Sequence, residues 1–155
     1  MRIDKEGIWY FRGEEMTRLD IVQYFYKHLR SDDKGSFYIE IDAERCSVDV
    51  EDVPYVITSV SLIPTQCDDE SCLVLSLSDG SREILDCKKS LRMGRDNVLY
   101  STVREGKFEA RFSRPAYYQL CRYIEYDPVK GTYVIKLDHR SISINTSLVS
   151  GITGN

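Results

Sequence analysis

The sequence predicts an α+β fold, mostly antiparallel sheet, built from two repeated hairpin–helix–hairpin units with a central β-meander. Three observations carry this. Glu6-Gly7-Ile8-Trp9-Tyr10-Phe11-Arg12 has a counterpart in Glu105-Gly106-Lys107-Phe108-Glu109-Ala110-Arg111, and a helical stretch follows each. After each helical stretch comes a Lys-Gly strand, Lys34 to Asp42 and Lys130 to Asp138, identical at 34/130, 35/131, 39/135 and 42/138. Eleven tyrosines against four prolines favour strand over disorder. The expected organisation is one compact globule: a first unit over 1–52, a connecting meander over 53–97, a second unit over 98–147 and a frayed tail over 148–155.

Each element has its own signal. Residues 2–12 read as a hairpin turning near Asp4 to Gly7. Thr17 is expected to cap a helix with Asp20 at N3, and Ile21, Val22, Phe25 and Leu29 recur at helical spacing. Asp32-Asp33-Lys34-Gly35 ends that helix. Phe37, Ile39 and Ile41 then alternate with Tyr38, Glu40 and Asp42. Pairing Asp42 with Ser47 across a four-residue loop sets Ile41 against Val48 and Ile39 against Val50. In the second unit Ser113 caps a helix carrying Ala116, Tyr117, Leu120, Cys121 and Ile124, with Pro115 in its first turn. Leu137 is expected to face Ile142, and Ile135 to face Ile144, across the loop His139-Arg140. Between the units, Pro54 to Ile63, Cys72 to Ser78 and Arg82 to Leu85 read as an antiparallel meander. Pro64 to Glu70 is an acidic loop and Asp79-Gly80 a hairpin turn. Asn97 to Val103 is a strand leading into the second unit.

Composition narrows the function classes. A formal charge of −4 argues against general nucleic-acid binding, which needs a net basic face. No apolar run reaches the roughly 20 residues of a membrane span. The five cysteines, at 46, 67, 72, 87 and 121, form no CxxC pair and read as free thiols of a cytoplasmic protein. No cofactor and no metal set is expected. Asp68-Asp69-Glu70 lacks a calcium-loop pattern, and neither His28 nor His139 has the context of a catalytic base. Phosphate-loop and dinucleotide fingerprints are absent.

The arginines are the candidate binding residues. Arg12 corresponds to Arg111, and Thr17-Arg18 to Ser113-Arg114, so each unit places one arginine on its second strand and one in the first turn of its helix. A cation there opposes the helix dipole, whereas the free N–H groups with an arginine suit an anion. The competing reading is an ion pair with Glu14, Glu15 or Glu109. Glu51 and Asp52 form an acidic motif before Pro54 that organises a turn or pairs with a nearby arginine.

Several strings resemble a bacterial family catalogued as domain of unknown function 1285: Ile3 to Gly13, Thr17-Arg18, Glu44-Arg45, Val50-Glu51-Asp52-Val53-Pro54-Tyr55 and Glu109 to Arg114. The resemblance runs over roughly 2–125. It implies an α+β fold assembled from repeated motifs, no established activity, and a role in ligand or protein interaction and signalling.

Three readings of function follow. The first is a binding or regulatory module without catalytic activity, for a protein partner or a small anionic ligand. Its contacts would be Arg12, Arg18, Glu44, Arg45, Arg111 and Arg114. The second is a sensor or enzyme for a small anion or metabolite, held by the arginines at the helix N-termini. The third is a homo-oligomeric structural protein, a homodimer at its simplest, pairing through aromatic strand edges.

Overall fold

The computed structural model describes residues 1–64, 71–137 and 140–145. The acidic stretch 68–70, Cys67, His139 and the tail beyond 145 lie outside the described residues. Two helices and a majority of strands form two open sheets.

The first sheet comes from the N-terminal third. Strands β1 (Arg2–Ile3), β2 (Trp9–Phe11) and β3 (Glu14–Glu15) precede helix α1 (Leu19–Lys27), and β4 (Leu29–Ser31), β5 (Phe37–Ile41) and β6 (Glu44–Val50) follow it. Their order is β3-β2-β1-β6-β5-β4, with β1 and β6 parallel and the other pairs antiparallel. The turn between β1 and β2 is tied by Asp4, whose Oδ1 accepts the Glu6 and Ile8 amides at 2.9 and 3.0 Å. Gly7 closes it at φ +83, where a Cβ would meet Val56 Cγ2 at 2.9 Å. Gly7→Ala is therefore expected to cost about 1–2 kcal/mol in left-handed strain alone, read as a lowered midpoint in urea unfolding.

The second sheet has nine strands. The meander β7 (Tyr55–Pro64), β8 (Ser71–Leu77) and β9 (Arg82–Leu85) forms one side. Next come β10 (Leu91–Met93), β11 (Leu99–Val103) and β12 (Phe108–Phe112), then α2 (Arg114–Cys121), β13 (Ile124–Asp127), β14 (Thr132–Leu137) and β15 (Arg140–Asn145). The order is β13-β14-β15-β10-β11-β12-β7-β8-β9, with β10 parallel to β15 and β12 parallel to β7. Six of these strands thus repeat the order of the first sheet read as β4-β5-β6-β1-β2-β3, with a parallel pair at the same place.

Several expectations need correction. Helix α1 begins one residue later than Thr17 predicts: Arg18 is the N-cap, extended, and no side chain caps it. Ser113 does cap α2, accepting the Ala116 amide at 3.2 Å. Leu29 and Ile124 continue the helical spacing but lie on strands β4 and β13, because α1 stops at Lys27 and α2 at Cys121. The Asp32 to Gly35 turn therefore joins two strands. Asp42 and Ala43, at φ 50 and 71, make a two-residue turn, so Ile41 pairs with Glu44 and Phe37 with Val48. In the other hairpin Leu137 pairs with Arg140 and Ile135 with Ile142. Both slips are even-numbered, so each strand still presents the expected face. Finally, the sheet position of Trp9–Phe11 is taken in the second half by Leu99–Val103. Phe108–Phe112 stands where Glu14–Glu15 does.

The core joins both sheets. Trp9, Ile3, Tyr26 and Leu29 belong to it on one side, and Tyr55, Ile57, Leu75, Leu99, Val103, Leu120, Ile135 and Ile144 on the other.

Candidate functional site

An open cleft of about 1380 Å³ lies between the end of α1 with β4, the strand β9 with the turn after it, and the hairpin turn from Arg104 to Lys107. Its floor is aromatic. Tyr55, the first residue of β7, lines the cleft yet is 0% exposed. It stacks on Tyr26 with ring centroids 4.7 Å apart and leans on Phe108 at 5.5 Å. Tyr26 satisfies its hydroxyl by donating to the Pro54 carbonyl at 2.9 Å, with Ser78 Oγ also at 2.9 Å. The Tyr55 hydroxyl is buried with no hydrogen-bond partner among the described residues. Burial raises the titration of both phenols. A buried hydroxyl left unpaired costs about 1–3 kcal/mol, so such a group calls for an explanation.

The walls are basic. Among the described residues the cleft is lined by seven lysines and arginines, Lys27, Arg30, Arg82, Lys88, Lys89, Arg104 and Lys107, against the three carboxylates Glu83, Asp86 and Glu105. Some of these charges are spoken for. Lys89 pairs with Glu83 in a nearly buried bridge, whose other oxygen accepts the Arg104 amide at 3.0 Å. Arg104 also reaches Asp79 at 3.8 Å. Arg30 donates to the carbonyls of Lys27 and Leu29. Lys27, Arg82, Lys88 and Lys107 are exposed and meet no carboxylate among the described residues. A smaller cleft of about 730 Å³ beside β10 and β15 holds Arg92 and Glu109, which neutralise each other through two hydrogen bonds of 2.6 and 3.0 Å.

The arginines singled out from the sequence do not converge on the cleft. Arg12 sits in the turn after β2 at φ 52, not on a strand, with its guanidinium 5.2 Å from the Phe11 ring. Arg18 pairs with Asp20 at 2.8 Å. Glu44 opens β6 and is exposed; Arg45 pairs with Glu40 at 2.9 Å and lies over Tyr38. Arg114 is the exposed first residue of α2. Only Arg111 and Asp52 come together, at 3.0 Å, with the Tyr100 hydroxyl donating to the same Asp52 oxygen at 2.6 Å. Glu51 accepts the Lys5 amide at 2.6 Å. The Glu109 expected to pair with an arginine does so, but with Arg92.

Among the described residues, Cys46, Cys72, Cys87 and Cys121 are free, and no group of three His, Cys, Asp or Glu side chains could hold a metal ion. Sequence reasoning missed the cleft residues. The signals that could have found them were Lys88-Lys89, a basic pair without a neighbouring helix, and Tyr55 directly after the motif ending in Pro54.

A two-sheet α+β protein with a basic, aromatic-floored cleft is thus the class the coordinates define. Residues 1–53 match the model of the N-terminal domain of the family described as domain of unknown function (DUF1285), where the resemblance read from the sequence is found again. Two solved structures are similar. A DUF1285 family protein from Silicibacter pomeroyi aligns with 22% identity over 97% of this chain and 82% of its own, with a TM-score of 0.78. One from Shewanella baltica aligns with 22% identity over 78% of this chain and 89% of its own, with a TM-score of 0.62. These likenesses speak to the fold. No curated protein matches the chain. Among the described residues no helix is long and apolar enough to cross a membrane.

Proposed function

We propose that the protein is a non-catalytic binding module, formed from two copies of one β3αβ3 unit, that takes an anionic ligand in the cleft beside the first unit. The duplication rests on matched pairing. Arg2 lies opposite Tyr10 and Arg92 opposite Tyr100, with the guanidinium 4.9 and 4.0 Å from the ring centre. The intervening strings, Arg2 to Tyr10 and Arg92 to Tyr100, then align without a gap. In both, a left-handed residue closes the turn: Gly7 at φ 83 and Asn97 at φ 59.

The observation that carries the binding role is a recess lined by Lys27, Arg82, Lys88 and Lys107, four exposed cations that meet no carboxylate among the described residues. Lysine and arginine side chains left free around a recess focus a positive potential that attracts anions. The helix-start arginines of the alternative reading are less suited, because Arg18 is already held by Asp20. Thermal denaturation with citrate, pyrophosphate and nucleotides tests the role. At roughly a hundredfold excess over Kd, a ligand should raise Tm by about 5 °C or more. Arg82→Glu, at an exposed residue of the cleft wall, should weaken that ligand while changing the stability of the free protein by no more than about 0.5 kcal/mol. Absence of any shift from organic or inorganic anions, acidic peptides included, would remove the reading.

A further inference from the structure

The cleft has a second property besides charge: two of its walls are free sheet edges. Among the described residues, strand β4 pairs only with β5 and ends the first sheet, and β9 pairs only with β8 and ends the second. Leu29, Arg30 and Ser31 of β4 and Arg82, Glu83 and Ile84 of β9 all line the same recess. Edge strands present unpaired N–H and C=O groups, which proteins ordinarily cover or blunt because they accept another strand. Here they border a cleft of about 1380 Å³, above the roughly 300–1,000 Å³ usual for a small-molecule pocket.

We propose that the occupant is an extended acidic polypeptide segment that adds as a strand along the β9 edge, an inference that rests on the anion-binding reading above. Main-chain hydrogen bonds to β9 would supply affinity, and alternate side chains would supply specificity. Arg82 and Ile84 point to one side of β9, so the edge offers a cation and an apolar contact two residues apart. Ile84 is 52% exposed, which leaves that contact open. Lys27 across the cleft and Lys107 at its end meet further carboxylates of the segment. Among the described residues most carboxylates lie outside the cleft, which disfavours acidic segments elsewhere and directs them here.

The test is fluorescence polarisation with the full chain and a short labelled peptide of alternating glutamate and valine. A second peptide has the same sequence with alternate backbone amides N-methylated, so it keeps every charge and loses strand hydrogen bonds. The expected result is salt-sensitive binding of the first peptide, weakened at least about tenfold by N-methylation and by the exposed-site double variant Arg82→Glu, Lys107→Glu. Equal binding of both peptides overturns strand addition, since charge alone would then account for it. Failure of the peptide where pyrophosphate or citrate still raises Tm overturns the acidic-segment inference and leaves the anion cleft standing. Failure of all of them removes both.

Discussion

Trp9→Ala should lower the free energy of unfolding by about 3–5 kcal/mol. Trp9 is 1% exposed and belongs to the core cluster that spans both sheets. Its ring meets Tyr26 edge-on at 5.0 Å and stacks with Phe25 at 5.9 Å, so it fixes α1 on the first sheet. One term opposes the loss. Trp9 Nε1 is buried with no hydrogen-bond partner among the described residues, and deleting it recovers about 1–3 kcal/mol of desolvation at most. The cavity left by an indole is larger than that gain, so destabilisation wins. Because Trp9 is the chain's one tryptophan, unfolding of the variant has to be followed by far-ultraviolet circular dichroism in urea. Leu19→Ala, at a residue 73% exposed, is the control and should stay within about 0.5 kcal/mol. A Trp9→Ala loss below about 1 kcal/mol would mean that the indole does not anchor the helix. A further effect is expected at the cleft. Tyr26 carries the contact on to Tyr55, so the aromatic floor should loosen in the same variant.

The features legible in the sequence were those with local causes. Asp79-Gly80 announces the hairpin between β8 and β9, and the strand bounds Arg82 to Leu85 follow from it. Ser113 with Pro115 marks the start of α2 because hydroxyl capping and proline geometry act within one turn. Features decided by pairing were misread. Phe25 and Leu29 are four apart, which suits a helix, yet Leu29 pairs with Ile39 once the sheet claims it. Asp42-Ala43 lacks the usual Asn-Gly signature of a two-residue turn, so the sequence points to a longer loop than the one formed. The parallel pairs of β1 with β6 and β10 with β15 join strands of two or three residues to partners far along the chain, and no periodicity marks them. The cleft was invisible for the same reason. Lys27, Arg82, Lys88 and Lys107 come from separate segments, and only the topology brings them to one recess. The Asp52–Arg111 pair was half legible: the sequence named both residues, but only the coordinates join them.

That pair leads to the second large effect, a loss of stability at alkaline pH that depends on Tyr100. Tyr100 is 7% exposed, with Arg92 against its face and its hydroxyl donating to Asp52 Oδ2 at 2.6 Å. Burial first, and then the hydrogen bond to Asp52 and the charge of that carboxylate, push the phenol from 10.0 up to about 12. The folded state therefore holds this proton more tightly than the unfolded chain does. The resulting stability is fully present below pH 10.0 and is lost as pH rises from there through about 12. A rise of this size corresponds to a loss on the order of 3 kcal/mol. Tyr100→Phe keeps the ring under Arg92 and leaves Arg111 on Asp52, but removes the titrating hydroxyl. At neutral pH it should cost about 1.5–3 kcal/mol, the worth of a hydrogen bond to a charged group. Between about pH 8 and about pH 11.5 it should lose less stability than the parent. Tyr26 and Tyr55, also raised by burial, titrate in both proteins, so the difference between the two urea series isolates Tyr100. Parallel series, with the same alkaline loss in each, would show that Tyr100 is not the group through which Asp52 ties the segment after β6 to the second sheet.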